Sequence, residues 1–500
     1  MRAIPNLPNE LLLRIANYVS DDDVRSAHRS LKNLALVSRK FRPIAQEVLF
    51  RHVVIVEDGH NYDNMIPLAL FVRTLLDRPD LVPLIHGFDV DIRHRSLGHG
   101  FFCSQNSEPR CECGWAALRL RCIKTTPRIK QPGPRNYGFL DSPDYLHPTW
   151  SQNVLGGEEI ALFALALDML PKLKVLLLSL DSGQGMRAKF PTVADCFGTE
   201  DVDLSRIPGL VSLHSLRIHS SVPGKLLSFP ELRHLHFRLP SYRDGRIGPR
   251  SQLLPTDMAL STTLQRLTID LDLYEVHRMV SLCLQPKTSA GYFTGLQKRL
   301  MALKHLSIRL KLEGGVSPCH NDYNGLAMLL ISDTVEHLVI DTFQYIKGNC
   351  HRSNLEEHEL PEGFARLHPI QPMVSLTHLP RLRSVTAPEQ ALYGIIKCEF
   401  PPSIECIAVI DCITTPNLYA RHLAASRSRY PKLNTLRLWL DRHNAYPSNC
   451  WKYTLPDKSV AYKSFDLESK MDPGVLTQLE DARIRVDQRN ARGRPWRADA

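Results

Sequence analysis

The stretch LPKLKVLLL, residues 170–178, sets the reading of most of this chain. From Leu173 its pattern is L-x-x-L-x-L, with apolar residues alternating over the last four positions. Alternation of period two is the mark of a β-strand with one face buried and one face wet. The same fragment recurs as LHSLRI (213–218), LRHLHF (232–237), LQRLTI (264–269), LKHLSI (303–308), VEHLVI (335–340), IECIAV (404–409) and LNTLRL (433–438), with LRSVTA (382–387) as a weaker copy. Several copies have a proline lead-in: LPKL (170–173), FPEL (229–232), LPRL (379–382) and YPKL (430–433).

One such strand cannot bury its apolar face alone, but stacked neighbours can do so together. The fragments resemble an irregular leucine-rich repeat array. Their spacing is uneven, and the asparagine that usually follows the strand in that repeat is replaced by DSG, HSS and DLD, so no asparagine ladder is expected. Helical spacing in MIPLALFVRTLLDR (65–78), EEIALFALALDML (158–170) and YARHLAASRSRY (419–430) places helices before strands, including an early strand in LIHGFDVDI (84–92). The expected order is helix, proline, strand. Arg217, His236, Arg238, Thr268, Arg309 and Arg437 then fall on the wet face of the strands, where a protein target would lie.

Composition bounds the rest. Five hundred residues at 43% hydrophobic content can bury a core without metal or disulfide support. The net charge of +10 is modest for this length and requires neither nucleic acid nor an acidic partner. Twelve scattered cysteines fit reduced thiols in the cytoplasm or nucleus. The first residues, MRAIPNLPNE, do not form a secretory apolar segment. The most apolar window, IALFALALDML (160–170), is too short to span a bilayer and contains Asp168, so no membrane partner is expected.

The chain opens differently. In LPNELLLRIANYVSDDD (7–23), Pro8 suits a first helical turn and Glu10 the positive end of the helix dipole. Leu11, Leu12, Ile15, Ala16, Tyr18 and Val19 recur at helical spacing. SLKNLALVSRKF (30–41) reads as a second helix, PIAQEVLF (43–50) as a third, and HVVIV (52–56) as a strand. So small a unit carries apolar residues on more than one face, and the surplus requires the next domain or a partner's groove.

LPNELLLRIANYV followed by LKNLALVSRKFRPIAQEVLFRHVVI resembles an F-box of the kind common in fungal proteins, although the stretch Asp22–Leu31 is longer than in the compact form. The resemblance implies docking on the Skp subunit of an SCF-type ubiquitin ligase. The matching positions are Leu7, Pro8, Leu11, Ile15, Leu34, Val37 and Phe41; sequence does not divide those that face the partner from those inside the three-helix unit.

The expected fold is therefore α/β: a small N-terminal three-helix F-box over 1–55, then an irregular leucine-rich-repeat-like solenoid. The solenoid begins over 56–93, is interrupted by an irregular insert over 94–156, and continues over 157–465. A tail over 466–500 is expected to be disordered, because DARIRVDQRNARGRPWRADA (481–500) is Arg-rich with few apolar residues after Val486.

Other chemistry is thin. Cys103, Cys111, Cys113 and Cys122 lie close in sequence but lack the paired C-x-x-C knuckle of structural zinc, and unpaired thiols are the preferred reading. SGQGMRA (182–188) has the outline of a dinucleotide loop, but Pro191 interrupts the helix that should follow. The pairs Asp89/Asp91, Asp201/Asp203 and Asp270/Asp272 read as strand positions sharing the solvent face or as loop acids. Six bases over 119–135 and the Arg-rich tail read as solvated charge, so no nucleic-acid partner is expected. No catalytic residue, metal or cofactor is assigned. The expected role is a non-catalytic adaptor, with the Skp subunit and an unknown protein target as partners. The rival is a repeat scaffold acting outside ubiquitin transfer.

Overall fold

A computed structural model describes residues 7–20, 24–37, 39–55, 67–92, 159–180, 207–218, 229–238, 261–272, 297–298, 300–311, 323–341, 372–392, 398–410, 416–440 and 472–490. The Cys103–Cys122 cluster, the SGQGMRA loop, Asp201/Asp203, the basic 119–135 stretch and the insert as a whole lie outside these residues. The chain divides into two compact units, Met1–Arg238 and Leu239–Ala500.

The first unit opens with three helices: α1 (Asn9–Ser20), α2 (Val24–Val37) and α3 (Phe41–Arg51). The Pro8 carbonyl accepts from the backbone N–H groups of Leu11 and Leu12, both at 3.1 Å, so the helix winds directly after the proline. Leu12, Ala16, Leu31, Phe41, Ile44 and Val48 form the buried core of the three helices, with Leu7, Leu13, Val19, Leu34 and Leu49 packed against it. α2 starts six residues before the expected Ser30 and absorbs most of the long Asp22–Leu31 stretch. It ends at Val37, so Phe41 begins α3 instead of closing α2. Pro43 is tolerated in the first turn of α3, where its missing N–H has no intrahelical partner to lose.

There follow β1 (His52–Ile55), α4 (Pro67–Asp77), a 3-10 turn (Pro79–Leu84), β2 (Gly87–Ile92), α5 (Glu159–Met169), β3 (Val175–Leu180), α6 (Pro208–Val211), β4 (Ser215–Ile218) and β5 (His234–Arg238). Each strand pairs in parallel with the next in chain order. Phe88, Leu176, Leu216 and Leu235 occupy one register row, Val90, Leu178, Ile218 and Phe237 another, and all eight are buried. Phe88 also meets Phe71 of α4 and Phe163 of α5, at ring-centroid distances of 5.2 and 6.0 Å.

The second unit repeats the scheme with β6 (Arg266–Asp272), β7 (His305–Lys311), α7 (Tyr323–Leu329), β8 (His337–Asp341), β9 (Ser384–Pro388), α8 (Glu389–Leu392), β10 (Cys406–Ile410), α9 (Pro416–Ala425), β11 (Thr435–Leu440), α10 (Pro473–Asp481) and β12 (Arg485–Asn490). These strands are also parallel and sequential. Leu267, Leu306, Leu338, Val385, Ile407 and Leu436 share a buried row. The fold is thus α/β: a helical N-terminal region followed by parallel strands.

All nine fragments read as strands are strands. The proline lead-in has a specific task. In LPKL, FPEL, LPRL and YPKL the fourth residue donates its backbone N–H to the carbonyl of the first, as in Leu173 to Leu170 (3.1 Å) and Leu433 to Tyr430 (3.1 Å). Proline at the second position presets the φ this turn needs. The turn delivers a buried leucine at each entry: Leu173, Leu232, Leu382 and Leu433.

The expectation of disorder over 466–500 is corrected for α10 and β12. Asp472 caps α10, its side chain accepting from the Gly474 N–H at 2.8 Å. Val475, Leu479 and Ile484 are buried, and β12 takes its backbone partners from β11. Among the described residues no helix is long and apolar enough to cross a membrane.

Candidate partner-docking surface

Helix α1 divides its apolar residues between two stripes. Leu12, Ala16 and Val19, spaced four and three apart, turn inward onto the three-helix core. Pro8, Leu11, Ile15 and Tyr18, spaced three, four and three apart, form a second stripe about a quarter-turn round the helix and are exposed. Leu11 is 42% exposed, Ile15 40% and Tyr18 80%. Scattered surface leucines need no explanation, but an unbroken helical stripe of them is a contact surface in waiting.

The seven positions matched to the F-box pattern therefore separate. Pro8, Leu11 and Ile15 are outward. Leu7 and Leu34 are half-buried against the core. Phe41, only 3% exposed, belongs to the core itself. Val37 closes α2, and its side chain lies outside the description.

Two further exposed apolar residues were not singled out as contacts from sequence: Tyr18, and Leu36 of α2, which is 78% exposed. Tyr18 was visible as the next member of the 8–11–15 spacing. Leu36 was visible as the apolar residue out of phase with Leu31 and Leu34.

At the α2–α3 junction Arg39, Lys40 and Arg42 are all exposed. The Lys40 ammonium donates to the Leu7 carbonyl at 2.6 Å, which places this basic group at the Pro8 end of the stripe. At the other end of α3, Arg51 pairs with Glu47 (2.6 Å) and donates to Asn17 Oδ1 (3.2 Å), tying α3 to α1.

The six strand residues assigned to a target are split between the two units. In the first, Arg217 of β4 and His236 of β5 are in register, His236 being largely buried; Arg238 ends β5, and its side chain lies outside the description. In the second, Thr268 and Arg437 belong to one lateral row, reached through Ser307, Val339, Thr386 and Ala408. The row continues from Arg437 to its register partner on β12, Asp487, whose carboxylate lies 3.9 Å from the Arg437 Nε. Arg309 is mostly buried between two buried acids, its Nε 3.9 Å from Asp270 and 3.8 Å from Asp341. A base held this way is committed to its own sheet and offers less to a target than Arg437 does.

A second half-buried row precedes the Thr268 row. Arg266, His305, His337, Ser384, Cys406 and Thr435 are successive register partners at the start of β6 through β11. Beside them an ion-pair chain crosses the strand entries: Lys304 to Glu336 (3.6 Å), Glu336 to Arg383 (3.7 Å), and Arg383 to Glu405 through two hydrogen bonds of 2.9 Å. The Arg383 guanidinium holds Glu405 below the usual carboxylate range. Among the described residues no three His, Cys, Asp or Glu side chains converge as a metal site.

The model for F-box-like domains matches residues 4–56 of the chain. This segment contains α1, α2, α3 and β1. The class is thus a protein with an F-box-like domain ahead of parallel-strand α/β units. No curated protein matches the chain.

Proposed function

We propose that this protein is a substrate-recruiting adaptor of an SCF-type ubiquitin ligase, acting in the cytoplasm or nucleus. The observation that carries the reading is the outward stripe Pro8–Leu11–Ile15–Tyr18 on a domain whose own core is already complete without it. The stripe docks on the Skp subunit, together with the edges of Leu7 and Leu34. The parallel strands of each unit then act as leucine-rich-repeat-like elements that hold a protein target, through Arg217, His236 and Arg238 in the first unit and Thr268 and Arg437 in the second, with Arg309 the least available of the six. Such a protein makes and breaks no bonds itself. Tethering raises the effective concentration of the target's lysines at the ligase.

Leu11→Asp with Ile15→Asp places two charges in the stripe and leaves Leu12, Ala16 and the rest of the core untouched. Loss of co-purification with the Skp subunit, at an unchanged circular-dichroism spectrum and melting temperature, is the expected result. Undiminished co-purification would refute the docking assignment and leave the repeat scaffold acting outside ubiquitin transfer.

A further inference from the structure

Three of the positive charges on the N-terminal helices lie at a helix end that disfavours them. Arg39 and Lys40 precede α3 and Arg42 lies in its first turn. A helix is electropositive at its N-terminal end, so bases there oppose the dipole while acids support it. α3 has no acid in its first turn and no side-chain cap at Lys40. All three bases are exposed. The Lys40–Leu7 hydrogen bond puts the Lys40 ammonium against the Pro8 end of the apolar stripe, with Arg39 and Arg42 its near neighbours in sequence.

Resting on the adaptor reading, we infer that Arg39, Lys40 and Arg42 form the electrostatic half of the docking surface, and that the partner presents a patch of carboxylates next to an apolar groove. The stripe supplies contact area and the bases supply steering. Opposite charges beside a hydrophobic seam accelerate encounter and fix orientation more than they lengthen residence. The signature is an association rate that falls steeply with ionic strength while the dissociation rate barely moves.

The test uses the full-length protein and purified Skp subunit, with association and dissociation followed at 50, 150 and 500 mM sodium chloride. The expected association rate falls at least about fivefold over this range. Arg39→Gln with Arg42→Gln, which spares the Lys40–Leu7 bond, is expected to lower the rate at 50 mM at least about threefold and flatten its salt dependence, with dissociation within about twofold of the parent. Lys172→Gln with Arg233→Gln removes the same charge from exposed positions in the strand region and is expected to leave the rate unchanged. A salt-independent rate in the parent protein, or equal losses in both double variants, overturns the steering inference while the docking assignment stands. Absence of any binding overturns both.

Discussion

His305 stacks on His337 across the β7–β8 pair, with ring centroids 4.3 Å apart and planes 11° from parallel, and His337 Nδ1 lies 2.7 Å from Ser384 Oγ on β9. Two imidazolium rings at this separation repel, so the stack disfavours having both rings protonated. Burial, the largest influence, pushes the His337 pKa below its ordinary value. Glu336 and Glu405 draw it up, and Arg383 and Arg266 push it down.

Stability should follow. A histidine with a depressed folded pKa binds fewer protons than the unfolded chain, so its contribution is present above about pH 6.5 and is lost as pH falls through the lower folded pKa. The parent protein should lose more stability between pH 7 and 5 than His337→Gln does, as read from urea midpoints at each pH. Imidazole proton shifts should show His337 titrating below the free value. Parallel midpoint curves for the two proteins would exclude the stack as a pH-sensitive element.

Asp168 responds to pH in the opposite sense. It lies in the last turn of the apolar helix α5, and burial pushes its pKa up to about 6. The folded protein holds this proton after the unfolded chain has released it, so stability is complete below about pH 4 and declines until about pH 6. A shift of roughly two units corresponds to a cost on the order of 3 kcal/mol at neutral pH. Asp168→Asn removes the ionisation. It should be more stable than the parent at pH 7 and equal to it near pH 3.5. A loss of stability at pH 7 would mean that the ionised carboxylate has a favourable role there.

Gly209 marks where α6 meets α5. A Cβ at this position would lie 2.3 Å from the Leu167 carbonyl oxygen and 3.2 Å from that of Leu170. Both are backbone atoms and cannot rotate away, so Gly209→Ala forces α6 off α5. The expected cost is about 1–3 kcal/mol. Gly474, in the first turn of α10, is the contrast: its Cβ would meet only Asp472 Oδ1, at 3.3 Å. Gly474→Ala should be neutral or stabilise by about 0.4–1 kcal/mol through the unfolded chain. Comparable denaturation midpoints for the two variants would contradict the close approach.

What sequence revealed and what it hid have physical causes. The leucine rows were legible because a period of two, a fixed entry leucine and a proline turn are all local signals. Phe41 and Leu11 were indistinguishable because both are apolar residues at helical spacing. Only the packing of three helices decides that Phe41 closes the core and Leu11 does not. β12 was missed because RVDQRN has little apolar alternation; its backbone pairing comes from β11, and the buried residues that anchor it lie in α10 and at Ile484. The His305–His337 stack depends on register between strands thirty-two residues apart, which no local pattern carries.

The basic α2–α3 junction makes one more stability prediction, separate from any partner. Arg42 lies in the first turn of α3, is exposed, and opposes the dipole of an eleven-residue helix without a capping side chain. Arg42→Glu converts an unfavourable charge into a favourable one. At low ionic strength it should stabilise the protein by about 0.3–1 kcal/mol for each half of that reversal, with the gain shrinking as salt screens it. The readout is the urea midpoint of the transition reported by the N-terminal helices, at 20 and 500 mM sodium chloride. A gain that disappears in salt identifies the dipole as its source. If Arg42→Glu is instead destabilising at both concentrations, Arg42 supports the fold through contacts of its own. Its position at the electropositive end would then reflect structure, and the steering inference would lose one of its three charges.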